Sequence, residues 1–263
     1  MEAQGHDRKL LVCFYEALGT CLFLYCVLAS NGNPYAVIIG LFASIMIFGG
    51  VTGGHFNPAV TLGVYTARGQ YGKDLIFMIM IILFQFIGAV GGAALAWLVL
   101  KNLEGKIDEG NLGNVGPKNP ATGKPDGMEG EGFSLDVQET YTQVMLTFVF
   151  VAVIQVIKDV KGRGTNNDFH NNILQAFAVV LTLYGCIQAA SHVGGGFNPA
   201  ISFGNWLLTI LMFDNTNNYL THYLYAYTAG PALGGIMAGM FYNMYSKLYE
   251  KNPIGETKYT HMQ

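Results

Sequence analysis

The chain contains few charged residues. Asp, Glu, Lys and Arg make up 12% of its 263 residues, which is about half the share usual in soluble domains. Hydrophobic residues make up 51%, and several stretches of about 20 residues carry almost no charge, the length that crosses a bilayer as a helix. The scarcity of charge therefore argues against a soluble protein and indicates one that spans a membrane.

The chain also lacks the features of several other classes. Its net charge of −3 provides no basic surface, so no nucleic-acid partner is expected. The four cysteines all lie inside apolar segments, which argues against a disulfide framework: Cys13, Cys21, Cys26 and Cys186. Their spacing also fits no zinc site. No Ser/His/Asp set and no phosphate-binding loop is present. We therefore expect no enzyme, no metal site and no cofactor.

Apolar stretches predict six transmembrane helices, at residues 10–30, 35–52, 75–100, 137–157, 173–191 and 220–245. The segment between the third and fourth, residues 101–136, is rich in Gly, Pro and acidic residues and is predicted to be a long surface loop. We expect a single membrane domain, 10–246, with halves of about 10–100 and 137–246. Polar ends, 1–9 and 247–263, flank this domain.

Two short stretches carry nearly the same motif. Each has a glycine-rich run followed by Asn-Pro-Ala, as Asn57-Pro58-Ala59 and Asn198-Pro199-Ala200. Asn is a favoured helix N-cap and Pro is favoured at the first helical position, so each motif predicts the start of a helix. About ten mostly apolar residues follow, which make about 15 Å of helix, half the thickness of a bilayer. Paired half-length helices of this kind indicate a pore or a substrate site.

Each half of the chain thus holds three spans and one half-helix. Because three is odd, the second half enters the membrane from the opposite side, which makes an inverted repeat. If both termini are cytoplasmic, ten Lys and Arg residues lie on that side and four on the other, as the positive-inside rule requires. We predict an all-α membrane protein with six transmembrane helices, two re-entrant half-helices and cytoplasmic termini.

The paired motifs resemble those of the aquaporin, or major intrinsic protein, family. Both Asn-Pro-Ala boxes match completely, and residues 85–88 and 230–234 resemble family landmarks of the third and sixth spans. The resemblance covers about residues 10–246 without the long loop. It implies a homotetramer in the lipid bilayer, in a plasma membrane or a vacuole-type membrane. It also implies a passive channel that conducts water along osmotic gradients and excludes protons and ions.

The half-helices would supply the polar groups that water needs inside a membrane. The lead-in segments 52–56 and 193–197 are predicted to present backbone carbonyls as acceptors, and Asn57 and Asn198 to donate side-chain N–H groups to water. Both helix N-termini would place roughly half a positive charge at the centre. Together with the cost of dehydrating an ion, this charge disfavours protons and cations.

The resemblance places a narrower constriction, the selectivity filter, on one side of the boxes. Family members usually carry Arg directly after the second box, where this chain has Ile201. The filter His of the family falls at Cys186 by an ungapped count, and the loop position falls at Gly195. The residue on the second span is Val37 without a gap, or Ile39 with a two-residue gap. Every alternative gives a small or apolar ring without a fixed positive charge.

This atypical filter leaves two functions open. One is a strict water channel, which Ser202 favours because glycerol-conducting relatives commonly carry Asp there, and Tyr227 favours by keeping an aromatic ring. The other is a wider, aquaglyceroporin-like channel that also passes small neutral solutes such as glycerol, urea, ammonia or hydrogen peroxide. A coupled secondary transporter also uses inverted repeats, but it needs intramembrane charges that are scarce here. A junctional membrane protein is a further alternative.

Two residues are candidates for supporting the pore loops, and two further polar residues have expected positions of their own. Glu16 is an acid deep in the first span, and the resemblance implies that it accepts hydrogen bonds from half-helix backbone. Gln143 takes the matching position in the second half but brings no charge. Glu139 is expected at the membrane boundary, as a solvated or headgroup-level acid. His55 is expected to line the cytoplasmic vestibule, mainly through its backbone carbonyl.

Overall fold

The computed structural model describes residues 2–69, 72, 74–101, 133–162, 169–212 and 219–251. Within these ranges the chain forms eight α-helices, which are α1 (Glu2–Ala29), α2 (Pro34–Thr52), α3 (Pro58–Arg68), α4 (Leu75–Leu100), α5 (Phe133–Gly162), α6 (Phe169–Ala189), α7 (Pro199–Met212) and α8 (Tyr219–Lys251). Most of the predicted loop 101–136 and the tail beyond residue 251 lie outside the described residues.

The six long helices correspond to the six predicted spans. Four described segments are long and apolar enough to cross a membrane: Arg8–Ala29, Pro34–Thr52, Leu75–Leu100 and Val137–Ile157. Several helices extend beyond the predicted spans. The helix α1 begins at Glu2 and α8 runs to Lys251, because backbone hydrogen bonding continues into polar sequence where apolar side chains end. Hydropathy therefore predicts the extent of the apolar segment better than that of the helix.

The two short helices link the two halves of the chain. The half-helix α3 has 11 residues and α7 has 14, as the half-span prediction requires. In the first half α1 packs along α4, and in the second half α5 packs along α8. The half-helix α3 packs mainly on α8, however, and α7 packs on α4. Each half-helix is therefore held by the opposite half of the chain.

The segment that leads into α3 begins at a glycine. Gly53 ends α2 in the left-handed conformation, with φ at 89°, and its N–H donates to the Gly49 carbonyl at 2.9 Å. Glycine adopts this conformation without the steric cost that a side chain imposes. The chain can therefore leave α2 and turn back toward the middle of the bundle before α3 starts.

Glycine also sets the closest helix crossings. A Cβ atom at Gly235 of α8 would lie 2.1 Å from the carbonyl oxygen of Ala59, in the first turn of α3. A Cβ atom at Gly88 of α4 would lie 2.1 Å from the carbonyl oxygen of Ala17 in α1. Small residues let the backbones of membrane helices approach this closely. The crossing at Gly235 positions the first Asn-Pro-Ala box against the second half of the chain.

Replacing Gly235 by Ala should destabilise the protein. The added methyl group overlaps the Ala59 carbonyl, and overpacking of this kind costs about 1–3 kcal/mol. The measurement is the free energy of unfolding in detergent, followed by intrinsic fluorescence. Gly185→Ala is the matched control, because nothing lies within 4 Å of a Cβ at that position. Equal stabilities of the two variants would contradict the close crossing of α3 and α8.

Candidate functional site

The two Asn-Pro-Ala boxes lie in direct contact. The side-chain amide of Asn57 donates to the Phe197 carbonyl at 2.9 Å, and that of Asn198 donates to the Phe56 carbonyl at 2.8 Å. Each Asn also caps its own helix, since its side-chain oxygen accepts from the N–H of Ala59 or of Ala200. The N-termini of α3 and α7 therefore abut, and each is tied to the loop that precedes the other.

This pairing changes what the two Asn residues can offer to water. A side-chain amide has two N–H donors, and one donor of each Asn is used on the opposite loop. One N–H of Asn57 and one of Asn198 then remain for other acceptors. Both residues are more than nine-tenths buried. The arrangement therefore places two N–H donors at the meeting point of the half-helices.

The first lead-in segment is held by a buried carboxylate. Glu16 is fully buried, and its carboxylate accepts from the N–H groups of His55 at 3.0 Å and Phe56 at 2.7 Å. It also accepts from the side chain of Gln85 at 2.8 Å, and that same amide nitrogen contacts the Thr61 hydroxyl. Gln85 was missed as a supporting residue, although a glutamine within an apolar span is a polar signal. The Thr52 side chain is a fourth hydrogen-bond partner of Glu16, and all four partners can donate, which suits an acceptor-only group.

Phe56 adopts an unusual backbone conformation at the centre of this contact. Its φ is +46°, in the left-handed region that residues other than glycine rarely occupy. In this conformation its N–H reaches Glu16, while its carbonyl accepts from Asn198. Strained backbone persists only where its surroundings hold it, and such sites are often functional. The strain marks this turn as a part of the candidate site.

The second lead-in segment is held by an amide. The side-chain nitrogen of Gln143 donates to the Gly194 carbonyl at 2.8 Å, and its oxygen accepts from the Gly196 N–H at 3.0 Å. The Ser202 hydroxyl donates to the Gly196 carbonyl at 3.1 Å. Gln143 therefore meets one acceptor and one donor of the loop. A carboxylate could satisfy only the donor.

The prediction for Glu139 was wrong. Glu139 is fully buried, and its carboxyl group accepts a 2.5 Å hydrogen bond from the Tyr227 hydroxyl. The Tyr227 hydroxyl also makes a very short contact with the Val193 carbonyl. Helix α5 begins at Phe133, so Glu139 lies in its second turn, four residues before Gln143 and on the same inward face. Its polar partner inside the bundle accounts for its burial.

A narrow cavity of about 60 Å³ opens from the Asn pair toward the distal face of the bundle, where α1 ends and α2 begins. Val37, Gly195 and Ile201 line this distal cavity. Ile39 lies on the outer surface, 64% exposed, so the ungapped alternative is the one that reaches the cavity. The described lining contains no Lys, Arg, Asp or Glu, and most of it is aliphatic or aromatic.

Cys186 does not line the distal cavity, contrary to prediction. Its thiol points toward the Leu146 carbonyl of α5, at 3.5 Å. Leu183 and Ile187 line the cavity instead, at the four-residue spacing of one helix face. An error of one residue turns a side chain by about 100° around a helix. We define the candidate filter as Val37, Ile187, Gly195 and Ile201.

A second and larger cavity, the vestibule, lies toward the face of the bundle where α1 begins. Its volume is about 760 Å³, and its lining includes Thr61, Arg68 and Gln175. Gly54 and His55 line both cavities, so the two cavities meet beside Asn57. The Nδ1 atom of the His55 ring lies 3.2 Å from the hydroxyl oxygen of Thr61. A passage with an apolar distal half and a more polar second half thus runs beside the paired boxes.

Comparison with known proteins identifies the family. Residues 8–242 match the family model described as major intrinsic protein. The chain belongs to the major intrinsic protein family. It is 28% identical to aquaporin PIP1-5 of Zea mays over 240 residues, which cover 83% of this chain and 73% of that protein. It is 30% identical to probable aquaporin PIP-type 7a of Pisum sativum over 199 residues, 74% of this chain and 58% of that protein.

The fold of this major intrinsic protein is similar to that of a solved aquaglyceroporin from Plasmodium falciparum. The TM-score is 0.70 at 18% sequence identity, over 92% of this chain and 99% of the other. The predicted fold class, a multi-pass helical membrane protein of the aquaporin type, is thereby confirmed. Members of the family are channels, so the prediction that the chain is not an enzyme is confirmed as well.

Thiol modification can test which face of α6 lines the passage. We expect Ile187→Cys to be blocked by a small methanethiosulfonate reagent, so that water permeability falls toward that of empty vesicles. The unmodified chain should keep its permeability, because none of its four cysteines lines either described cavity. The measurement is stopped-flow light scattering of proteoliposomes before and after treatment. Loss of permeability through native Cys186 would contradict the helix rotation described above.

Exchanging the two loop supports should damage the protein in both directions. Glu16→Gln turns an N–H donor toward backbone N–H groups, and Gln143→Glu turns a carboxylate toward the Gly194 carbonyl. Each leaves buried polar groups without partners, at about 1–3 kcal/mol per group. The temperature of thermal unfolding and the water permeability should both decrease. The lipid-facing substitution Leu18→Ala is the control, and a tolerated exchange would show that the supports are equivalent.

Proposed function

We propose that this channel conducts water along osmotic gradients and excludes protons and other ions. The observation that carries the proposal is the reciprocal pairing of Asn57 and Asn198 at two abutting helix N-termini. Each N-terminus contributes roughly half a positive charge, which opposes cations at the centre. The remaining N–H donor of each Asn replaces part of the hydrogen bonding that water loses inside a membrane. Proline and alanine of each box, at 58–59 and 199–200, complete the first helical turns.

A second candidate, conduction of small neutral solutes besides water, is favoured by the candidate filter. Val37, Ile187 and Ile201 are aliphatic and Gly195 has no side chain, so no described group of the filter carries a charge. A ring without Arg has neither the bulk nor the N–H donors that restrict passage to water. Glycerol, urea, ammonia and hydrogen peroxide are the solutes that such a ring admits by size and polarity. The water channel remains the common part of both candidates.

The supporting residues have separate roles in this proposal. Glu16 and Gln143 hold the two lead-in segments, and His55 lines the point where the cavities meet. We further propose a homotetramer with cytoplasmic termini, in a plasma membrane or a vacuole-type membrane. The match to a channel family supports a channel over a coupled transporter. Osmotic swelling of proteoliposomes distinguishes a channel from a junctional membrane protein. A pore also differs from a transporter by the low activation energy of its flux.

The decisive experiment is stopped-flow permeability of proteoliposomes for water, glycerol, urea and ammonia. The unmodified chain should pass water well above empty vesicles, and at least one of the other solutes. Ile201→Arg places a charged fork of N–H donors in the distal cavity, so glycerol and urea fluxes should fall by about tenfold, a barrier increase of about 1.4 kcal/mol. Water flux should change less, because water is smaller.

Ile201→Leu serves as the control, since it conserves volume and leaves the filter apolar. Solute fluxes no faster than those of empty vesicles, with water still conducted, would leave the strict water channel as the function. Equal solute fluxes in the unmodified and Ile201→Arg proteins would show that residue 201 does not face the passage. Absence of any water conduction by a folded protein would overturn both candidates.

A further inference from the structure

Most carbonyl groups of the second lead-in segment are engaged by protein donors. The Val193 carbonyl contacts the Tyr227 hydroxyl, and the Gly194 carbonyl accepts from Gln143. The Gly196 carbonyl accepts from the Ser202 hydroxyl. Gly195, between these anchored residues, is the loop member of the candidate filter. Its placement in the distal cavity therefore depends on how its neighbours are held.

Tyr227 holds this segment in two ways. Its ring packs against the backbone of Gly196, where an added Cβ would lie 2.3 Å from the ring. Its hydroxyl carries one proton, which it shares between the Val193 carbonyl on one side and the Glu139 carboxyl group, 2.5 Å away, on the other. Tyr227 and Glu139 are both fully buried. A fully buried acid can be retained there only with such a partner, because burying it alone is costly.

The described part of the first half holds no counterpart of this pair. Gly88 packs on the Ala17 carbonyl as Gly234 packs on the Val144 carbonyl, which sets the correspondence between the halves. By that correspondence Val12 matches Glu139 and Ile81 matches Tyr227. Both are apolar and line the vestibule. The Glu139–Tyr227 contact is therefore specific to the half that carries Gly195 and Ile201.

We propose that Glu139 and Tyr227 are positioning residues for the selectivity filter. Glu139 orients the Tyr227 hydroxyl, which fixes the Val193 carbonyl and thereby the position of Gly195 in the distal cavity. Where the first lead-in segment rests on the carboxylate of Glu16, the second rests on neutral Gln143 together with this indirect carboxyl support. The pair sets the ratio of solute to water permeability. This inference rests on the proposed function and adds two residues to its filter.

The test removes the hydroxyl alone. Tyr227→Phe keeps the ring against Gly196 but releases Val193, so the solute-to-water permeability ratio should change by about threefold, a size typical of coupling between contacting residues. Hydrogen–deuterium exchange should rise in a peptide covering 193–197 and stay unchanged in one covering 53–57. Tyr225→Phe, on the exposed face of the same helix, is the matched control. It should leave both readouts unaltered.

Substitutions at Glu139 complete the design. Glu139→Leu should reproduce the effects of Tyr227→Phe, and the double variant should exceed neither single variant, because all three remove the same link. Glu139→Gln keeps a polar group within reach of the Tyr227 hydroxyl, so it should leave the solute-to-water permeability ratio unchanged. If Tyr227→Phe does not fold, the Leu and Gln variants at position 139 decide by the same two readouts.

Two results would overturn the inference. One is an unchanged ratio and unchanged exchange at 193–197 in folded Tyr227→Phe or Glu139→Leu protein. The other is additive effects of the two substitutions, which would mean that they act separately. Failure of the proposed function looks different: the unmodified protein would then conduct nothing. The exchange measurement does not depend on conduction, so the two failures are distinguishable.

Discussion

Backbone groups at the middle of a membrane must find partners inside the protein, because lipid offers none. The lead-in segments are not helical at this depth, and the pairing of the two boxes resolves the resulting deficit. Each Asn caps its own half-helix through its side-chain oxygen and binds the opposite loop through its nitrogen. Neither loop can shift without breaking the cap region of the other. The position of α3 and α7 follows from this reciprocal contact.

The two loops need different supports because they present different groups. The first turns two N–H groups, those of His55 and Phe56, toward the bundle, and a carboxylate can accept both. The second presents the Gly194 carbonyl and the Gly196 N–H together, which only a group that both donates and accepts can satisfy. Gln143 is therefore a chemically matched support, although it lacks the charge of Glu16. The inverted repeat preserves the geometry of support and not its chemistry.

The sequence predicted the spans and the boxes because their signals are local. Apolar length identifies a span, and Asn followed by Pro identifies a helix start wherever it occurs. The direction in which a side chain points cannot be read from neighbouring residues in the same way. Cys186 was assigned by counting back from the second box without a gap. That count is off by one residue, so it selected Cys186 where Ile187 lines the cavity. Glu139 was misplaced because nothing near it in sequence predicts that Tyr227 lies beside it.

If the proposed function holds, the absence of charge from the candidate filter places the barrier to ions at the Asn pair. In the described distal lining, aliphatic walls give a charged solute nothing in exchange for its hydration shell, and that loss is large for an ion. A neutral solute loses far less and meets polar backbone at Gly195 before it reaches the amides of Asn57 and Asn198. Ion exclusion can then rest on dehydration and on two helix N-termini, without a filter Arg. Under the proposed function, the candidate filter around residue 201 would select among neutral solutes, and the paired boxes would exclude charge.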